Sequence, residues 1–199
     1  MTRFGYALVT LFAAELFALL FVGVALIGPR PRLIWNASAS VAVGLYRVTE
    51  IEHPAVGDLI AITPPAALGR YMAGRHYLAD GVPLLKHVAA RGGARVCRRN
   101  DRVTIDGRLA ARALDRDSRG RFLPAWRGCR IVGAQELFLL NAAPDSMDGR
   151  YFGPILATGL LGRVTPVLTR DAPGKPLHWR DVSSPDAASS PGKGHRACK

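Results

Sequence analysis

A long apolar segment at the amino terminus places the strongest constraint on this chain. From Phe4 to Gly28 the sequence carries a single charged residue, Glu15. A helix of that length crosses the hydrocarbon core of a bilayer. A cleaved signal peptide is the alternative, but the apolar run exceeds a usual h-region and no clear small-x-small site precedes Pro29. The sequence therefore predicts an uncleaved, single-pass transmembrane helix over residues 4–28, followed by a Pro-Arg-Pro-Arg hinge.

The rest of the chain divides into one globular domain and a polar tail. Between residues 33 and 168, short apolar or alternating segments are separated by turn residues, without the strand and helix alternation of a parallel sheet. This pattern predicts a mostly β domain, in which residues from Val96 to Asp106 form one strand. We interpret residues 97–129, whose centre is polar and arginine-rich, as a small cap insertion. Residues 170–199 are rich in Pro, Gly, Ser and charge, which predicts a disordered tail.

A run of small and hydroxyl residues follows the hinge and leads into the domain. It extends from Asn36 to Tyr46 and reads NASASVAVGLY. In an extended strand, Ser38 and Ser40 would point to the same side and present two hydroxyls to one site, which suits acyl transfer. Alternating Ser and Ala also fill edge strands and turns that have no function. Both interpretations stay open on these residues alone.

Lys86 lies among apolar residues of a predicted strand over residues 83–90. Burial of an ammonium group is unfavourable unless its pKa falls. A lysine that is neutral near pH 7 can accept the proton of a serine, which makes Lys86 a candidate general base in a hydrolase without histidine. The alternative is a lysine at a strand end whose ammonium group reaches water.

A third run, from Ser146 to Pro154, combines hydroxyl, acidic and basic side chains in the sequence SMDGRYFGP. Taken alone, Asp148 and Arg150 could be an exposed ion pair, and such pairs contribute little to stability.

These three segments, in this order and after a single anchor, resemble the sequence boxes of TraF-type conjugative-transfer peptidases, which belong to the signal peptidase I family. The match to the nucleophile box of that family comprises Asn36, Ser38, Ser40, Gly44 and Tyr46. The sequence departs from the family pattern at three places: Ala42 replaces a proline, the Gly-Gly-Ala of residues 92–94 replaces a Pro-Gly-Asp turn, and Gly149 replaces a serine.

The resemblance implies a signal-peptidase-like, β-rich catalytic domain with a Ser-Lys dyad and no cofactor or metal. Ser40 would be the nucleophile and Lys86 the general base. Asp148 matches an aspartate that takes part in catalysis in TraF-type members, and Asp145 is the reserve for that role. The implied supporting groups are the Ser38 hydroxyl and the Ser40 backbone N–H as oxyanion donors, Ser146 as the group that orients the lysine, and Arg150 as the partner of Asp148.

The resemblance also implies a protein substrate, either a pilin precursor or a related exported protein of a conjugation system. The acyl-enzyme would be resolved by water, or by an amine of the same substrate to give a cyclic product. The implied location is the inner membrane, with the catalytic domain on the periplasmic side. Two alternatives stay open: a general signal peptidase that removes secretory leader peptides, and a non-catalytic, membrane-anchored adaptor of a secretion apparatus.

The formal net charge of +12 indicates an anionic partner or an arginine-rich coding bias. The sequence contains no nucleic-acid-binding motif and no basic patch interleaved with aromatic residues, so we expect no nucleic-acid partner. In an anchored protein, anionic membrane lipid is the more economical partner for this charge.

Two of the cysteines, Cys97 and Cys129, lie in the globular part and could form a disulfide. A disulfide would indicate an oxidising compartment such as a periplasm, whereas two separate buried thiols are the alternative. Cys198 lies in the polar tail.

Overall fold

The computed structural model describes residues 2–27 and 32–180, and the chain divides into two compact units, residues 1–31 and 32–199. The first unit consists of helix α1, Arg3–Ile27. With a mean hydropathy of 2.4, this helix is long and apolar enough to cross a membrane. The predicted helix is confirmed as far as Ile27, and Gly28 lies outside the described residues. Retention of the helix as an uncleaved anchor stays a prediction.

Strands dominate the second unit, which confirms the predicted mostly β domain. The strands are, in chain order, β1 Leu33–Asn36, β2 Gly44–Thr49, β3 Leu59–Ile62, β4 Leu84–Arg91, β5 Arg95–Arg99, β6 Arg102–Ile105, β7 Arg108–Arg112, β8 Gly128–Ile131, β9 Glu136–Leu140, β10 Ile155–Leu156, β11 Leu160–Arg170 and β12 Leu177–Trp179. Two short helices, α2 Ala66–Gly74 and α3 Gly149–Phe152, and a single 3-10 turn, Ala157–Gly159, complete the regular elements of residues 32–180.

An antiparallel sheet of eight strands forms the body of this unit, in the order β1-β2-β11-β3-β4-β9-β10, with β12 paired to β11. Side chains alternate between its faces, so that Ile60 and Ile62 belong to one apolar cluster and Ala61 to another. Strand β4 lies in the interior of the sheet, between β3 and β9. Its residue Lys86 pairs with Ile60 and therefore points toward the larger cluster.

The other four strands form a separate sheet, in the order β7-β6-β5-β8, which we call the cap sheet. It begins at Arg95 and ends at Ile131, two residues beyond each end of the predicted cap. The prediction of one strand from Val96 to Asp106 is wrong, because the chain turns after β5 at Asn100. The φ angle of Asn100 is 55°, a left-handed conformation that asparagine adopts more readily than most residues.

The predicted tail also needs a correction at its start. Residues 177–179 form β12, whose register with β11 pairs Leu168 with Trp179 and Arg170 with Leu177. In addition, Arg180 Nε donates to Thr169 Oγ1 at 2.8 Å. Residues 171–180 are therefore part of the folded domain. The Pro and Gly content of this segment led to the prediction of disorder. Residues 181–199 of the predicted tail lie outside the described residues.

Candidate active site

The serine run forms a hairpin loop and not the extended strand that the sequence predicts. Strand β1 ends at Asn36, which pairs with Gly44 of β2, and residues 37–43, the serine loop, connect the two strands. The Asn36 side chain organises this loop from inside, because its Nδ2 donates to the carbonyls of Ser38, Val41 and Ala42 at 2.8, 3.3 and 3.0 Å. Its Oδ1 accepts the backbone N–H of Ser38, as in an Asx turn.

Two further residues of the run fix the end of the serine loop. The hydroxyl of Tyr46 donates to the carbonyl of Ala42 at 2.7 Å. At Gly44, φ is 148°, and a Cβ would lie 2.0 Å from the carbonyl oxygen of Leu168 on β11. Glycine is therefore required there for both conformation and space.

The turn brings the two serine hydroxyls together, although they do not share a strand. The Oγ atoms of Ser38 and Ser40 are 3.1 Å apart. The Ser38 hydroxyl donates to Asn36 Oδ1 at 3.1 Å, so its one proton is in use and Ser40 is the donor between the two serines. A role for Ser38 as an oxyanion donor consequently requires its hydroxyl to rotate away from Asn36. The serine loop is one half of the site.

Lys86 provides the other half, on the interior strand β4. Its side chain is 4% exposed, and its Nζ donates to Ser146 Oγ at 2.6 Å. Burial lowers the pKa of Lys86 to about 8, the charge of Asp148 raises this pKa, and Arg150 and Asp145 act with smaller effects in opposite directions. The neutral fraction of Lys86 near neutral pH is thus larger than that of an ordinary lysine, which favours a role as general base.

The loop between β9 and α3 presents Ser146 to the lysine, and Arg150 holds that loop in place. The Arg150 guanidinium donates to three loop carbonyls, those of Asn141, Ala143 and Pro144, at 2.5, 2.8 and 3.1 Å. It also forms an ion pair with Asp148 at 2.8 Å. This network is buried, so the fork of Arg150 fixes the backbone on which Ser146 stands.

Asp148 is fully buried, and its carboxylate is occupied by structural partners. It accepts the backbone N–H groups of Asn141 and Arg150, at 3.0 and 3.1 Å, besides the guanidinium. These contacts place Asp148 as the N-cap of α3. A direct catalytic role for Asp148 stays a prediction, whereas its contacts correspond to a positioning role.

One cavity of about 530 Å³ joins the two halves of the site. Ser38, Ser40, Lys86 and Ser146 all line it, together with Asp145. Asp148 and Arg150 are not among its lining residues. Its apolar wall includes Met72, Leu78, Leu84, Leu114, Leu123 and Met147. The cavity can therefore hold an apolar segment of a substrate beside both a serine hydroxyl and a desolvated amine.

Within residues 32–180 the structure shows no hydrogen bond between Ser40 Oγ and Lys86 Nζ. Ser40 Oγ bonds to Ser38 Oγ, and Lys86 Nζ bonds to Ser146 Oγ. Catalytic hydrogen bonds are often long in proteins without substrate.

Sequence reasoning missed Asn141, which joins the end of β9 to β4. Its Nδ2 donates to the carbonyl of Leu85 at 3.1 Å, and its Oδ1 accepts the backbone N–H of His87 at 3.2 Å. These bonds flank Lys86 on both sides along the strand. A buried asparagine at the end of an apolar run is the signal that could have indicated it.

Cys97 and Cys129 are bonded to each other in the structure. They are direct partners in the register of β5 and β8, so the disulfide joins two neighbouring strands of the cap sheet. Within the described part of the chain, no group of three or more His, Cys, Asp or Glu side chains could hold a metal ion.

Comparison with known protein families shows which family this chain belongs to. The model of a family described as signal peptidase, peptidase S26, matches residues 3–168. The chain belongs to the signal peptidase family, peptidase S26. Membership of this family makes it a serine peptidase with a protein substrate.

Similarity to proteins named TraF confirms the resemblance to TraF-type members. The chain is 38% identical over 144 residues to the conjugal transfer protein TraF of Agrobacterium tumefaciens, a match that covers 67% of this chain and 81% of the relative. It is 40% identical over 145 residues to the probable conjugal transfer protein TraF of Sinorhizobium fredii, with 67% and 76% covered. Identity to a plasmid transfer protein TraF of Escherichia coli is 30% over 145 residues, with 67% and 81% covered.

A solved structure of the same family gives a weaker match. The crystal structure of a signal peptidase I from Enterococcus faecalis V583 is 21% identical, with a TM-score of 0.36, and the match covers 58% of this chain and 100% of that one.

Proposed function

We propose that this protein is a membrane-anchored serine endopeptidase of the TraF type, which cleaves a precursor protein in conjugative transfer through an acyl-enzyme on Ser40. The observation that carries the proposal is the common cavity of Ser40 and Lys86, in which the lysine is 4% exposed and bonded to a serine. An exposed lysine would have an ordinary pKa and would be almost entirely charged at neutral pH.

In the proposed acylation step, neutral Lys86 accepts the proton of Ser40 while Ser40 Oγ bonds to the scissile carbonyl carbon. The resulting oxyanion accepts the backbone N–H of Ser40 and the hydroxyl of Ser38, once that hydroxyl has rotated away from Asn36. Lys86 then donates its proton to the leaving amine as the peptide bond breaks. Water, or an amine of the same substrate, attacks the ester and releases Ser40, with Lys86 again as the base.

The remaining predicted site residues have supporting roles in this proposal. Ser146 accepts a hydrogen bond from Lys86 Nζ at 2.6 Å and so directs the amine. Arg150 and Asp148 fix the loop that carries Ser146 through the buried contacts described above. The negative charge of Asp148 also limits how far the pKa of Lys86 falls.

For substrate and location, we propose a pilin precursor or a related exported protein, cleaved at the periplasmic side of the inner membrane. The names of the relatives support a role in conjugal transfer. Helix α1 supports anchoring in a membrane, where anionic lipid is the expected partner of the basic domain. The bond between Cys97 and Cys129 supports an oxidising compartment.

The test is co-expression of the full-length protein with the pilin precursor of a neighbouring transfer operon, followed by the intact mass of the precursor. Wild type should shorten the precursor, and Ser40→Ala and Lys86→Ala should leave it unchanged. Ser38→Ala should slow cleavage by about 10²–10³, the usual effect of losing one oxyanion donor. Thr49→Ala, an exposed change on β2, is the control and should cleave like wild type.

Two results would contradict the proposal. Cleavage that persists in Ser40→Ala would mean that another group is the nucleophile. Cleavage of secretory precursors from the host, but not of the pilin precursor, would assign the protein to general leader-peptide removal. A product lighter than the hydrolysed form by one water would indicate cyclisation.

A further inference from the structure

Arg98 is a buried cation that the proposed mechanism does not use. It lies on β5 of the cap sheet, where Arg95 and Arg99 point outward and Arg98 points inward, with 3% of its surface exposed. Its guanidinium donates to three backbone carbonyls, those of Arg150, Pro124 and Asn100, at 2.5, 3.1 and 3.2 Å. No carboxylate is among these acceptors.

Burial of a guanidinium that bonds only to neutral acceptors is unfavourable. Burial accordingly lowers the pKa of Arg98, while Tyr151 and Asp115 raise it and Arg127 lowers it. An apolar residue of similar volume at this position would often stabilise the fold more than a buried charge does. The presence of an arginine therefore points to a role other than stability.

The cap holds helix α3 through four hydrogen bonds, of which the bond from Arg98 is one and the bond from Arg150 Nη1 to the carbonyl of Arg112, at 3.5 Å, is another. Trp126 Nε1 donates to the carbonyl of Gly149 at 3.0 Å, and the hydroxyl of Tyr151 accepts the backbone N–H of Leu114 at 3.0 Å. The carbonyl that Arg98 holds belongs to Arg150, the residue whose own side chain clamps the loop that carries Ser146. A continuous series of contacts thus leads from the cap sheet to Lys86.

We propose that Arg98 is a positioning residue, which fixes α3 from the cap and, through Arg150, holds Ser146 against Lys86. The inference rests on the proposed function, because it assigns to Arg98 an effect on the proposed general base. It makes the cap a part of the catalytic scaffold and not only a wall of the cavity.

Without the Arg98 fork, the loop that carries Ser146 should loosen and admit water to Lys86. Better solvation would raise the pKa of Lys86 toward its ordinary value, so less of the base would be neutral at pH 7. The charged groups that act on Lys86 are Asp148, Arg150 and Asp145, and Arg98 is not among them. A change at Arg98 should consequently act through geometry and not through its charge.

The experiment compares Arg98→Met and Arg98→Lys in the full-length protein in detergent, with Arg99→Met as the matched exposed control. Cleavage of the purified precursor is measured from pH 6 to 10, with kcat and KM determined separately, and unfolding temperatures are recorded. Arg98→Met should lower kcat at pH 7 by about tenfold or more, leave KM within about twofold, and move the acidic limb of the profile to higher pH. Arg98→Lys keeps the positive charge but loses the planar guanidinium that bonds to several carbonyls. It should also move the acidic limb of the pH profile to higher pH.

An acidic limb that stays in place in Arg98→Met, whatever happens to its unfolding temperature, would overturn the inference. An equal displacement in Arg99→Met would also overturn it. If Arg98→Met shows no cooperative unfolding, Trp126→Phe takes its place, because it removes another cap bond to α3 and should move the limb in the same direction. Wild-type cleavage that does not depend on Ser40 would instead refute the proposed function itself.

Discussion

Acylation of Ser40 should depend steeply on pH, because Lys86 must be neutral to accept the serine proton. Burial lowers the pKa of Lys86 from 10.5 to about 8. At pH 7 about a tenth of the molecules would then carry a neutral lysine, roughly 300 times the fraction expected for an ordinary lysine. Between pH 6 and the plateau above pH 9, the rate should rise by roughly 100-fold, with a slope of one in logarithmic form.

The assay is single-turnover cleavage of the purified precursor by excess full-length protein in detergent, quenched at intervals over pH 6–10. Asp145→Asn is the informative variant, because Asp145 lines the cavity and its charge raises the pKa of Lys86. Its acidic limb should move to lower pH, while the plateau stays close to wild type. A rate that is flat from pH 6 to 9, or a midpoint near 10.5, would refute a desolvated lysine base. Loss of the plateau in Asp145→Asn would indicate a direct catalytic role for that residue.

Three further variants test the fold by thermal unfolding in detergent. Gly44→Ala should destabilise the protein by roughly 1–3 kcal/mol, because φ at Gly44 is 148° and a Cβ would lie 2.0 Å from a carbonyl oxygen. Stability equal to that of wild type would contradict this. Arg102→Glu should stabilise the cap sheet by about 0.2–1 kcal/mol, because Arg102 of β6 is the direct cross-strand partner of Arg99 on β5 and the change replaces two like charges by opposite ones. A lower unfolding temperature would contradict this. Replacement of Cys97 and Cys129 by alanine should cost about 3–4 kcal/mol, as the bond joins residues 32 apart in sequence, and an unchanged transition would show that the bond is absent in solution.

The sequence predicts the parts of this fold that depend on a strong local pattern. The apolar run gives α1 almost to the residue, and the apolar residues around Lys86 give a buried strand. Burial of a charge in such a run is costly, which makes Lys86 conspicuous in the sequence. The structure shows a hydrogen bond from Lys86 to Ser146 that reduces this cost.

Other features depend on contacts that the local sequence does not record. The serine run alternates like a strand, but Asn36 bonds to three carbonyls of the run and bends it into a loop. Strand β12 forms because β11 is long enough to offer it an edge, in a segment whose composition predicts disorder. Arg98 is one of many arginines in the cap, and only the strand register shows that it points inward.

Ser40 is the proposed carrier of the acyl group, and the most direct measurement locates that group on the chain. Full-length protein mixed with excess precursor is quenched in acid during turnover and digested with trypsin, which releases residues 33–47 as one peptide. This peptide contains two serines, Ser38 and Ser40. Fragmentation by mass spectrometry should place the acyl fragment of the substrate on Ser40 and show none in Lys86→Ala. An adduct on Ser38, or cleavage that proceeds at full rate without any adduct on this peptide, would contradict the claim.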